Sequence, residues 1–166
     1  MKNDLPPAVC SWIYETSSLT QRLKRGCGIH FHVTLLRQTW VRPWPEEAKI
    51  LNFEQKRYAL VREVLLSCCK QPLIVARTII PRDTLAGAQR KLSSLGTRPL
   101  GEVIFTYPSL MRHRLDIAMV EANDWNPGVR KQLGIERAIW GRRTVYGIAE
   151  SKLLVCEFFL PAVLLR

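Results

Sequence analysis

Apolar and polar positions along the chain fall into stretches of different period. From Ile29 to Val41 they alternate, with Ile29, Phe31, Val33 and Leu35 on one side and His30, His32, Thr34 and Leu36 on the other. That is the pattern of a strand with one buried face. Pro43 and Pro45 then break the chain. Gln55–Cys69 carries Tyr58, Leu60, Val61, Val64, Leu65 and Leu66, a spacing that fits helix or strand. A turn at Gln71–Pro72 and the apolar run beyond it favour a β-hairpin. Pro72–Ile80 is apolar except for Arg77 and Thr78, and Pro81 closes it. Ser109–Val120, Thr144–Ile148 and Leu153–Leu160 read as further strands, the last two joined by a turn within Ala149–Lys152.

Helices are predicted at Leu5–Tyr14, helped by Pro6 and Pro7, and at Ser18–Lys24, capped by Ser17 or Ser18 and ended by Gly26 and Gly28. Another is expected at Thr84–Ser94, capped by Asp83 and ended by Gly96. One more starts at Thr97-Arg98-Pro99-Leu100, with Thr97 as cap and Pro99 in the first turn. Asn123–Gly134 is polar, with Asn126-Pro127-Gly128 as a turn, and reads as a surface excursion. Five or six strands joined mainly by short turns, with helices between them, imply an α+β fold. The sheet is antiparallel and the helices stack on one face.

Composition narrows this. At 166 residues and 47% hydrophobic content, the chain reads as one domain, 1–166, able to bury its own core. No stretch reaches the ~18–20 uncharged apolar residues of a membrane helix. The opening MKNDLPPAV has acid and prolines where a signal peptide would be apolar, so a cytoplasmic address is expected, with no membrane insertion. Five cysteines, an odd number with no C-x-x-C pair, point to reduced, mostly buried thiols. Lys and Arg total 25 against 14 acids, a net charge of +11. The basic residues are dispersed in short clusters without a nucleic-acid-binding signature, so steering of an anionic small ligand is favoured over nucleic acid. A solvated basic surface accounts for most of them. His30 and His32 form a possible metal half-site, but no matching cluster stands out.

Two charges occupy apolar strands. Arg77 shares a face with Leu73, Val75 and Ile79; Glu157 shares one with Leu153, Val155 and Phe159. Removing either ion from water costs several kcal/mol, so each needs a partner. They either pair with each other or line a site. In a site, the guanidinium would take a carboxylate and Glu157 a hydroxyl of one small ring. Leu100, in the first turn of a helix, could offer its main chain to the anion. Arg142 or Arg143 could reach a second carboxylate. Cys156 faces away from Glu157 and reads as core.

At these residues the sequence closely resembles the chorismate lyase family. The matching stretches are SSLTQRL (17–23), ARTIIP (76–81) with DTL following, LGTRPLGEVIF (95–105), WGRR (140–143) and LLVCEFFLPA (153–162). They come in the family's order and span nearly the whole chain. The segment Val120–Ile139 looks longer than is familiar in the family, and Leu19 stands where a methionine is familiar. The resemblance implies a six-stranded antiparallel sheet with helices on one face, a ligand enclosed under two helical flaps, and no metal or organic cofactor. It implies elimination of pyruvate from chorismate to give 4-hydroxybenzoate, the first committed step of ubiquinone biosynthesis. A monomer is expected, and a planar product held at both ends of a closed pocket should leave slowly, so product inhibition is expected as well. It carries substrate contacts to Leu19, Arg77, Leu100 and Glu157, with Arg77 and Glu157 as the catalytic pair. The competing expectation is a non-catalytic, ligand-sensing module of the same fold that binds a small carboxylate.

Overall fold

Six strands, β1 (Phe31–Val41), β2 (Ala59–Cys68), β3 (Gln71–Pro81), β4 (Leu110–Val120), β5 (Ile139–Ile148) and β6 (Ser151–Phe159), form one sheet in the order β1-β2-β3-β6-β5-β4. Every neighbouring pair is antiparallel. The computed structural model describes residues 5–166; the expectation drawn from residues 1–4, that no signal region opens there, lies outside them. No helix among the described residues is long and apolar enough to cross a membrane.

The β2–β3 connection corrects the turn expected at Gln71–Pro72. It is the two-residue turn Cys69-Lys70, with φ of 51° and 66°. Two positive φ values give the hairpin the twist its strands need, although neither residue is the usual Asn or Gly. Gln71 and Pro72 already pair with Cys68 and Ser67.

Helices α1 (Pro7–Ile13), α2 (Leu19–Cys27) and α4 (Leu100–Ile104) cover one face of the sheet. Ser18 caps α2, its Oγ accepting from Gln21 N at 3.4 Å. The helix expected to start at Thr97 begins at Leu100, with Pro99 at its N-cap and no side-chain cap. The helix expected at Thr84–Ser94, capped by Asp83, is instead two 3-10 segments, Arg82–Leu85 and Gly87–Ser94.

The opposite face is covered too. Helix α3 (Pro45–Leu51) lies where two prolines had suggested only a break, and its Leu51 packs with Val61, Ile79, Leu154 and Cys156. Pro45 sits at a helix's first positions, where its missing N–H costs nothing. Glu47 closes the turn by accepting from Trp44 N at 2.9 Å. The polar stretch after β4 holds α5 (Pro127–Leu133), capped by Asn126, and Ile135 just beyond it packs with Val75, Ile139 and Leu160. Cys156 is core, as expected, and burial pushes its thiol pKa up to about 12.

The cysteine reading needs one correction. Cys27, the last residue of α2, is disulfide-bonded to Cys68, the last residue of β2. Cys10, Cys69 and Cys156 are free. Two cysteines 41 residues apart carry no motif, so only the packing of α2 on β2 reveals the pair.

Candidate active site

Between the sheet and the first turns of α2 and α4 lies a hollow of about 60 Å³, room for roughly four to six waters at about 10–15 Å³ each. Its floor includes Arg62 and Val64 of β2, Ala76 and Thr78 of β3, Arg142 and Tyr146 of β5, and Val155 and Glu157 of β6. Its roof is residues 17–20 and 99–101. The two roof helices meet closely. A Cβ on Gly101 would come within 2.6 Å of Ser18 Oγ, so only glycine lets α4 approach the cap of α2. Lys24 of α2 also pairs with Glu102 of α4.

Arg62 is the most unusual group. It is 1% exposed. Its Nη1 donates to Gly96 O at 2.7 Å and Gln38 Oε1 at 3.2 Å, and its Nη2 to Arg98 O at 3.0 Å. All three acceptors are neutral, and among the described residues no carboxylate forms an ion pair with it. Burial lowers its pKa with no negative partner to restore it. A buried cation without a counter-ion is costly unless an anion arrives. The carbonyls of Gly96 and Arg98 come from the segment leading into α4, so the same loop aims the guanidinium and presents the first-turn N–H groups of α4, which lack helical acceptors.

Glu157 lies on the same floor. In register, Arg62 pairs with Thr78, and Thr78 with Val155, two residues from Glu157. The two charged groups are therefore two strands apart, roughly 10 Å across the sheet. Arg142 Nε donates to Glu157 Oε2 at 2.6 Å. Burial alone would lower the pKa of Arg142, but the Glu157 carboxylate, together with Tyr146 and Glu15, more than offsets it. Among the described residues no protein group hydrogen-bonds the other Glu157 oxygen.

Arg77 is not in this hollow. The register pairs Ala76 with Glu157 and Arg77 with Cys156, so Arg77 points to the opposite face. There its Nε and Nη2 grip Glu47 of α3 at 2.7 and 3.0 Å, and its Nη1 reaches Glu63 of β2 at 2.6 Å. The Trp44 ring stacks on it at 4.0 Å. The expectation that Arg77 and Glu157 grip one ligand is therefore corrected, and so is the alternative that they neutralise each other. Each face of β3 and β6 was legible from the alternation; which faces coincide depends on pairing, and a one-residue shift reverses it.

Leu19 and Leu100 both border the hollow. Arg142 reaches it, whereas Arg143 turns away to Asp116 at 2.9 Å. His30 and His32 are exposed, and among the described residues no group of three or more possible metal ligands occurs. Arg62, Thr78 and Tyr146 are floor residues that sequence reasoning passed over. For Arg62 the signal was present: a lone cation among Leu60, Val61 and Val64, hidden because the spacing of Gln55–Cys69 fitted helix or strand.

This architecture and chain can be set against known proteins. The family model described as Chorismate lyase matches residues 2–166. A protein of Methylococcus capsulatus named "Probable chorismate pyruvate-lyase" is 47% identical over 93% of this chain and 95% of its own length. One of the same name from Aromatoleum aromaticum is 34% identical, covering 96% and 88%. In fold, the chain is similar to a GntR-family transcriptional regulator from Bacillus cereus, with a TM-score of 0.61 at 12% identity, over 80% of this chain and 93% of that one. The α+β sheet is thus shared with regulators, while sequence similarity over nearly the full length sets its own assignment: the chain belongs to the chorismate lyase family.

Proposed function

We propose that the chain eliminates pyruvate from chorismate to leave 4-hydroxybenzoate, acting as a cytoplasmic, single-domain monomer that supplies ubiquinone biosynthesis. The observation that carries the reading is the pairing, in one small hollow, of a buried guanidinium without a counter-ion and a carboxylate with one oxygen open. Arg62 takes the ring carboxylate through its fork, helped by the first-turn main chain at Leu100. Glu157 accepts the hydrogen bond of the ring hydroxyl. Leu19 and Val155 wall the ring. This assigns to Arg62 the role that the resemblance carried to Arg77.

In the reaction, the ring carbon bearing the hydroxyl loses a proton, its neighbour releases enolpyruvate as the C–O bond breaks, and a proton gained at the methylene carbon of the enolpyruvate makes it pyruvate. The ring becomes aromatic, so the thermodynamic drive is intrinsic to the substrate. What the protein supplies is orientation, exclusion of water and stabilisation of charge. A planar product held under two helices leaves slowly, which makes product inhibition the expected behaviour.

The test is to mix the purified protein with chorismate and follow pyruvate and 4-hydroxybenzoate together. Equal, catalytic amounts of both are expected. The fold likeness to regulators favours a second reading, a ligand-sensing module. Tight binding of 4-hydroxybenzoate with no pyruvate released would select it.

A further inference from the structure

Glu157 is not held by its own strand alone. Its partner Arg142 has a side chain only 1% exposed. Beyond the Nε–Glu157 contact, Nη1 of Arg142 donates to three carbonyls: Ile13 at 2.7 Å, Glu15 at 3.0 Å and Trp12 at 3.4 Å. Trp12 and Ile13 end α1, where carbonyls lack helical donors and a cation suits the dipole. Glu15 belongs to the link between α1 and α2. The carbonyl of Glu15 also accepts from Arg112 at 3.2 Å, and its carboxylate holds Ser17 N and Oγ at 2.9 and 2.7 Å. Ser17 and the cap residue Ser18 are roof. One buried guanidinium therefore joins the Glu157 carboxylate to the segment that places the lid.

We propose that Arg142 is a positioning residue: it occupies Oε2 of Glu157, turns Oε1 toward the substrate hydroxyl, and makes that orientation depend on the roof being seated. The inference rests on the proposed function and adds a group that contributes through Glu157. Arginine suits the task because one rigid fork serves carboxylate and carbonyls at once. Lysine keeps the charge, but its three donors sit on one nitrogen and cannot span carboxylate and carbonyls.

The experiment is a double-mutant cycle of R142K and E157Q on chorismate turnover, with Tm measured for each variant. For R142K we expect kcat to fall roughly 10²-fold, the scale of a misplaced reacting group, with KM changed less than about threefold. The double variant should be no slower than E157Q alone, because Arg142 has nothing left to position. A merely structural arginine would lower Tm and leave these two results unmet. An R142K enzyme with near-normal kcat, or losses that multiply in the double variant, overturns the proposal while leaving the proposed function intact. A wild-type protein that releases no pyruvate overturns both. R142Q extends the cycle if it folds; R142K, which retains the cation, decides it otherwise.

Discussion

Replacing Arg62 or Arg77 with methionine should produce opposite phenotypes, although each is a buried arginine in an apolar strand. In R62M the ligand carboxylate loses a charge-assisted fork. Hydrogen bonds to charged groups contribute about 1.5–3 kcal/mol each. Two of them, on a guanidinium already removed from water and held by Gly96 O and Arg98 O, set the loss at about 3–6 kcal/mol. At about 1.4 kcal/mol per decade this weakens 4-hydroxybenzoate binding by about 10²–10⁴-fold. Stability should change little. The carbonyls of Gly96 and Arg98 lose a donor, at about 1–3 kcal/mol each, but an uncompensated buried cation is removed at the same time. R77M breaks a network with both Glu47 and Glu63. Leaving buried Glu47 unpaired should cost about 3–5 kcal/mol. At about 2–4 °C per kcal/mol for a chain of this size, Tm falls by roughly 6–20 °C. Folded R77M should bind 4-hydroxybenzoate as wild type does. Calorimetric titration with 4-hydroxybenzoate and thermal unfolding, run on both variants, separate the two. Wild-type affinity in R62M, or lost affinity with unchanged Tm in R77M, would refute the assignment of the two faces.

Two further outcomes follow from the roof. G101A would bring a Cβ to 2.6 Å from Ser18 Oγ, displacing the α2 cap at a cost of about 1 kcal/mol and speeding product dissociation, whereas G26A, with nothing within 4 Å of its Cβ, should leave stopped-flow release rates unchanged. Reducing the Cys27–Cys68 bond, which closes a loop of 41 residues, should cost about 4 kcal/mol by chain entropy; coincident urea midpoints for the oxidised and reduced protein would contradict this.

How much of this was legible from the chain depended on distance along it. The alternation of β1 and the short turns before β3 and β6 exposed the antiparallel sheet, because hairpins and side-chain period are local. The face of each charged strand residue was readable as well. The coincidence of faces was not, since it is set by β3–β6 pairing between segments about 80 residues apart. A shorter separation of 30 residues hid the main partner of Arg77. Glu47 sits in a Pro45-Glu46-Glu47 start that is a helix signature, but the prolines drew attention as breakers. Sparing use of buried ion pairs favoured a site over a structural pair for Arg77. The structure shows instead a bidentate, aromatic-stacked arginine that fastens α3 to the sheet.

The three buried strand arginines thereby divide the work by their counter-ions. Arg77 has two carboxylates and is fully engaged in packing. Arg142 has one, and its remaining donors join it to the link before α2. Arg62 has none among the described residues. The hollow therefore holds two guanidiniums against the single carboxylate of Glu157, an excess of one positive charge. On the proposed function, that excess is neutralised by the monoanionic product and exceeded by the dianionic substrate. The surplus negative charge of chorismate is the one that leaves with pyruvate. A site balanced for the product favours bond breaking over substrate retention, and it holds 4-hydroxybenzoate for the same electrostatic reason. Fast chemistry and slow release then have one cause, the unmatched cation at Arg62.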